Sequence, residues 1–133
     1  MQAYLAAYAA ATVVFLGLDA IWLNIASRLL YRPLLGDLLA EKPNLAVAVV
    51  FYAVYVVGIV VFCVSPAHAA RSWTTAVALG ALLGLVAYGT YDFTNLATLR
   101  NWPVAVSLVD LAWGMTVTTI ATLAGYAVMR WLG

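Results

Sequence analysis

Residues 45–64 read Leu45-Ala-Val-Ala-Val-Val-Phe-Tyr-Ala-Val-Tyr-Val-Val-Gly-Ile-Val-Val-Phe-Cys-Val64, twenty positions without a charge. Coiled as an α-helix, such a run is about 30 Å long, which is the thickness of a bilayer's hydrocarbon core. The rest of the chain shares its bias. Of 133 residues, 67% are hydrophobic and 8% charged, with six Lys/Arg against five Asp/Glu. The mean hydropathy is +1.04. An ordinary soluble domain is about 25% charged and about 45–50% apolar. A soluble globule cannot hide this much apolar surface, and disorder needs the opposite composition. The chain is therefore read as an integral membrane protein.

Three further stretches match the first in length and polarity. The four spans predicted are about 3–26, 45–64, 73–99 and 103–129. They use most of the chain, so the expected architecture is all-α: a single four-helix transmembrane domain over residues 1–133 with short connections. Asn44 after Pro43 reads as the cap of the second helix and Ser65-Pro66 as its stop. Ser72 can cap the third, and Asn101-Trp-Pro103 reads as a turn that places Pro103 in the first turn of the fourth. Trp73, Trp102 and Trp131 fall at span ends, where interfacial aromatics belong. The first connection is the longest. Pro33, followed by Leu34, Leu35, Leu38 and Leu39 with Asp37, Glu41 and Lys42 on the other side, predicts a short interfacial helix over about 33–41 at the head groups. The alternative is a lid over a site that opens to that side.

The same numbers exclude several classes. A formal net charge of +1 and the lack of any Lys/Arg run argue against a nucleic-acid partner. Cys63 and His68 are each the only residue of their kind, so no haem or zinc site is expected within one chain. No cleavable signal peptide is expected, because the first span lacks a positive leader. Arg28, Arg32, Lys42 and Arg100 lie in the first and third connections, against Arg71 and Arg130 on the other side. The positive-inside rule then puts both termini outside the cytoplasm.

Only three charged residues lie within the spans: Asp19, Asp92 and Asp110. An acid at bilayer depth costs about 2.5–3.5 kcal/mol even on the lenient insertion scale, so each is a candidate for function. Counted from Arg28, Arg100 and Pro103, their depths are about 13, 12 and 10 Å. Three helices thus carry a carboxylate in one layer. Helical spacing places Tyr88, Tyr91, Asp92 and Asn95 on one face, Asp110, Trp113 and Gly114 on another, and Asp19 with Trp22 on a third. Tyr52 and Tyr55 share a face of the second helix at similar depth, whereas Asn24 points away from Asp19. The candidate catalytic residues are Asp19, Asp92 and Asp110. The candidate substrate contacts are Trp22, Tyr52, Tyr55, Tyr88, Tyr91, Asn95 and Trp113. With no Lys, Arg or His in the layer, either one acid carries a proton or a cation sits among them. If the cation is a metal ion, its ligands are the three aspartates and Asn95. Gly80-Ala-Leu-Leu-Gly84 is a GxxxG pattern that reads as helix packing, with Gly58, Gly114 and Gly125 as further points of close approach. The first and third helices each carry an Asp and an Asn near the same end, a faint sign of duplication.

The strings Leu18-Asp-Ala-Ile-Trp-Leu23, Phe51-Tyr-Ala-Val-Tyr55, Tyr88-Gly-Thr-Tyr-Asp-Phe-Thr-Asn-Leu-Ala97 and Val109-Asp-Leu-Ala-Trp-Gly114 resemble the bacterial membrane family known as domain of unknown function 2177. The resemblance covers nearly the whole chain. It implies a multi-pass protein of the bacterial inner membrane and marks the same residues, but carries no activity with it.

Three functions fit these residues. The first is a membrane-embedded enzyme that acts on a lipid or isoprenoid-like substrate, with the acids as general acid and base or as ligands of a divalent cation. Arg28, Arg32 and Arg100 could hold a phosphate head, although orientation is the simpler account of them. The second is a proton- or cation-coupled transporter or channel, for which so small a protomer would need to form a homo-oligomer. The third is a lipid-binding or assembly subunit in which the aspartates serve as interhelical glue. Membrane lipids are the partners common to all three.

Overall fold

Four helices long and apolar enough to cross a membrane account for nearly all of Met1–Gly133 in the computed structural model, and no strand is present. They are α1 (Gln2–Leu38), α2 (Leu45–Ala70), α3 (Trp73–Thr98) and α4 (Val104–Leu132). The caps of α2 and α3 are those expected. Asn44 accepts from the Val47 N–H at 3.2 Å, and Ser72 from the Thr75 N–H at 3.1 Å. Pro103 sits one place earlier than expected, as the extended N-cap of α4, after Asn101 has turned the chain with φ 63°.

The prolines do not end helices as expected. α2 runs through Pro66 to Ala70 and stops at Arg71, which adopts a left-handed conformation. α1 likewise continues through Pro33, and its last turns, Arg32–Leu35 and a 3-10 turn at Gly36–Leu38, take the place of a separate interfacial helix over 33–41. Each proline is preceded by a π turn: Ser27–Tyr31 before Pro33, and Val60–Val64 before Pro66. A proline inside a helix lacks an N–H, and its ring presses on the carbonyl four residues earlier. A wider turn on that side relieves both problems, so the helix bends and continues.

α4 is the centre of the bundle and packs along both α3 and α1. The main core joins Ala7, Ala11 and Phe15 of α1, Val56, Ile59 and Val64 of α2, and Val117 and Ala121 of α4. α2 contributes from about Tyr55 onward. Its first half, including Leu45, Val47, Val50 and Val54, is exposed and meets the other helices only sparsely. The bundle is therefore closed at the end that carries the termini and splayed at the end that carries the first and third connections. Trp73 and Trp131 are exposed at helix ends, as interfacial anchors are. Trp102 is not. It is buried against Leu35 and Val106, and its indole donates to Ser107 Oγ at 2.9 Å, so it ties α4 to the end of α1.

α3 and α4 touch backbone to backbone. A Cβ at Gly84 would lie 2.6 Å from the Gly114 carbonyl oxygen and 2.7 Å from Met115 Cα, and one at Gly114 would fall inside the Tyr88 ring. Gly58 serves no such contact, because a Cβ there would meet only Phe62 of its own helix at 3.8 Å. Gly84→Ala should therefore destabilise the folded protein by about 1–3 kcal/mol through overpacking. Gly58→Ala should be neutral or slightly stabilising. Melting temperatures of the two variants in detergent check the contrast, and equal stabilities would contradict the packing described.

Candidate functional site

The splayed end holds an open-sided cavity of about 860 Å³. Leu23 and Leu35 of α1, Val47 and Phe51 of α2, Ala87 and Tyr91 of α3, and Val106 of α4 supply much of its apolar wall. Its polar residues include Asp19, Asp110, Tyr31, Tyr52 and Tyr88. No Lys, Arg or His lines it. The first half of α2 and the second half of α3 hardly touch, so the cavity lies beside a gap between these two helices.

Asp19 is 7% exposed and paired on both oxygens. Tyr52 of α2 donates to Oδ2 at 2.6 Å, and Trp113 of α4 donates its indole N–H to Oδ1 at 3.1 Å. Hydrogen bonds to a charged group are worth about 1.5–3 kcal/mol each, so this acid is well matched without a basic partner. Asp110 is partnered differently. Tyr31 donates to its Oδ1 at 2.7 Å, and the Trp22 indole donates to the Tyr31 hydroxyl at 3.1 Å. Asp110 borders the cavity, and its carboxyl also meets that of Asp92.

The two arrangements mirror each other. Asp19-Ala-Ile-Trp22 on α1 and Asp110-Leu-Ala-Trp113 on α4 are both Asp-x-x-Trp. The helices run antiparallel, with Ala7 beside Gly125 and Asp19 beside Trp113. Each tryptophan therefore reaches toward the acid of the other helix, directly for Trp113 and through Tyr31 for Trp22. The two indoles stack at 4.6 Å with planes 7° apart. Aromatic pairs of this kind add about 0.5–1.5 kcal/mol beyond area burial. The stack is also a partition, because its outer side lines a shallower groove of about 380 Å³ between α1 and α4. The repeat that the tertiary structure uses thus relates α1 to α4, not α1 to α3.

Asp92 stands apart from the cavity. It is fully buried, and neither carboxyl oxygen has a hydrogen-bond partner. Its carboxyl interacts with that of Asp110, while its main-chain oxygen accepts from Ser107 at 2.7 Å. No three acidic, His or Cys side chains converge as a metal-binding group. The four-ligand ion site expected from Asp19, Asp92, Asp110 and Asn95 is therefore not assembled. Both oxygens of Asp19 are taken by Tyr52 and Trp113, and Asn95 lies outside the cavity wall.

The other sequence candidates divide. Trp22, Tyr52, Tyr88 and Trp113 border the cavity at the acids. Tyr88 is within electrostatic range of both Asp19 and Asp110, and its hydroxyl has no partner in the chain, leaving it free to donate or accept. Tyr91 forms the rim, 53% exposed and edge-on to Trp102. Tyr55 also lines the cavity, but its hydroxyl is held in the core, 2.8 Å from Thr118 Oγ1. Arg28 and Arg32 are exposed outside the cavity, where they bond to Asn24 O and Ser27 Oγ, and Arg100 is exposed as well.

Sequence reasoning missed Tyr31. It lies 79 residues from Asp110 in a stretch that reads as a connection, and it reaches the acid because the π turn at Ser27–Tyr31 keeps the chain helical. Pro33 two residues later was the available signal, since π turns recur before helix-interior prolines in this chain and at functional sites generally.

Comparison with known proteins yields one match. A family model described as "Predicted membrane protein (DUF2177)" covers residues 4–127. No curated protein and no solved structure matches.

If Trp22, Tyr31 and Asp110 act as one chain of donors, Tyr31→Phe and Asp110→Asn should be non-additive. Each should lower stability, and the double variant should fall short of the sum by about 1 kcal/mol or more. Chemical unfolding of the four proteins in one detergent measures the cycle. Additivity within about 0.5 kcal/mol would mean that the chain is not coupled.

Proposed function

We propose a function for a chain that belongs to the DUF2177 family of predicted membrane proteins: it binds a lipid or isoprenoid-like molecule in the cavity and carries out acid/base chemistry on its polar end. The observation that carries the reading is the cavity itself, whose apolar and aromatic wall ends at two acids. Fifteen of its 19 lining residues are aliphatic or aromatic, five of them tyrosines, which suits a hydrocarbon body. Its volume is in the range of ligand sites, about 300–1,000 Å³. The gap between α2 and α3 offers a sideways path from the lipid phase.

The acids take different roles in this reading. Asp110, which lines the cavity, is the group that accepts or returns a proton. Tyr88, in the cavity wall with its hydroxyl free, is the donor. Asp19, satisfied on both oxygens, positions Tyr52 and Trp113. Asp92 shares the charge or proton of Asp110 from behind.

Protein purified in mild detergent should retain a defined lipid, identified by mass spectrometry of the extract. Ala48→Trp, at the cavity wall of α2, should remove that lipid and leave the melting temperature within a few degrees. Asp110→Asn should keep the lipid but abolish any turnover of it. An unchanged lipid content in Ala48→Trp would place the bound lipid elsewhere and defeat the reading.

A second reading, proton- or cation-coupled transport, draws support from the unpartnered Asp92 carboxyl beside Asp110. Proteoliposomes with an internal pH dye separate the two. A proton flux that is lost in Asp92→Asn favours transport over lipid chemistry.

A further inference from the structure

Building on the cavity as a lipid site, we infer that its ligand presents a hydrogen-bond donor, an alcohol or an amine, and not a phosphate ester. The polar end of the cavity carries two acids and no basic residue. Asp110 has one oxygen taken by Tyr31, and Asp19 has both of its oxygens already used. The fully buried Asp92 meets the Asp110 carboxyl and has no other partner. Two carboxyls this close call for a proton or a positive charge between or beside them, and no basic side chain in the wall supplies it.

Most donors beside the acids are already spent. The Tyr52 and Tyr31 hydroxyls and both indole N–H groups point at acids or at each other. The Tyr88 and Tyr91 hydroxyls and the Asn44 amide remain in the wall, all of them neutral. A phosphate ester is mainly an acceptor and carries one or two negative charges. It would face Asp110 with only neutral donors to receive it and no basic residue in the wall. Like charges brought together in a desolvated site cost several kcal/mol. An ammonium or hydroxyl group reverses the sign of every one of these contacts. Either donates to the Asp110 carboxyl; a hydroxyl also accepts from Tyr88, whereas an ammonium, which has no lone pair, donates to the Tyr88 oxygen instead and brings positive charge toward Asp92. Arg28, Arg32 and Arg100 do not alter this balance, because none lines the cavity.

Three probes with one chain length test the inference: dodecylamine, dodecanol and dodecyl phosphate, each offered to the protein in phosphatidylcholine nanodiscs at neutral pH. Native mass spectrometry counts bound probe. Site binding is the part lost in Ala48→Trp, so that partition into the disc is subtracted. Dodecylamine and dodecanol should bind, and dodecyl phosphate should bind at least about tenfold more weakly than the amine. Asp110→Asn should reduce the preference for amine over alcohol, and Tyr88→Phe should weaken the alcohol. Dodecyl phosphate binding as well as the amine overturns the inference while leaving the cavity a lipid site. Absence of cavity-dependent binding by all three probes overturns both.

Discussion

A carboxyl group inside a bilayer has no water to satisfy it, so its donors must come from other helices. In this protein that requirement organises the open end of the bundle. Asp19 of α1 is met by Tyr52 of α2 and Trp113 of α4, and Asp110 of α4 is met by Tyr31 at the far end of α1. Three helices are thereby pinned at one level without a salt bridge. Neutral donors suit the setting, since a tyrosine or indole can be buried at much lower cost than an ammonium. The result is an acidic site with fixed geometry and no built-in counter-charge.

Close packing elsewhere makes this possible. The glycines at the α3–α4 contact bring the two backbones together, and the same contact seats the Tyr88 ring over Gly114. Tyr88 is thus seated in the cavity wall by a packing feature. At the opposite end Phe15, Val56, Ile59 and Val117 close the core. α2 is held there and released toward Leu45, and that release creates the cavity. A tightly closed end and a splayed one are two outcomes of where small and large residues fall along the same four helices.

The stacked indoles join these themes. Two Asp-x-x-Trp segments on antiparallel helices bring their rings face to face and direct each N–H across the interface. The pair forms one wall of the cavity and also the floor of the groove outside it. A rigid aromatic wall beside the acids excludes water without adding flexible chain.

Much of this was legible before any coordinates. Residues 45–64 alone required a membrane span, because twenty apolar residues in a helix have no other solvent. Asn44 and Ser72 marked helix starts, and the cost of a buried charge singled out Asp19, Asp92 and Asp110. These features are local, and local chemistry determines them. The prolines misled because a π turn, which depends on how the helix packs beyond it, can carry a helix past a proline. Trp102 read as an interfacial anchor until Leu35 and Val106 enclosed it. Above all, equal depth along three helices does not make one site. Depth follows from residue counting, but the rotation of each helix about its axis follows from its neighbours. That rotation turned Asp19 and Asp110 to the cavity, left Asp92 behind Asp110, and put Asn95 outside. The sequence by itself determined that acids lie in the bilayer. Only the tertiary packing decided which of them face one another, and what meets them.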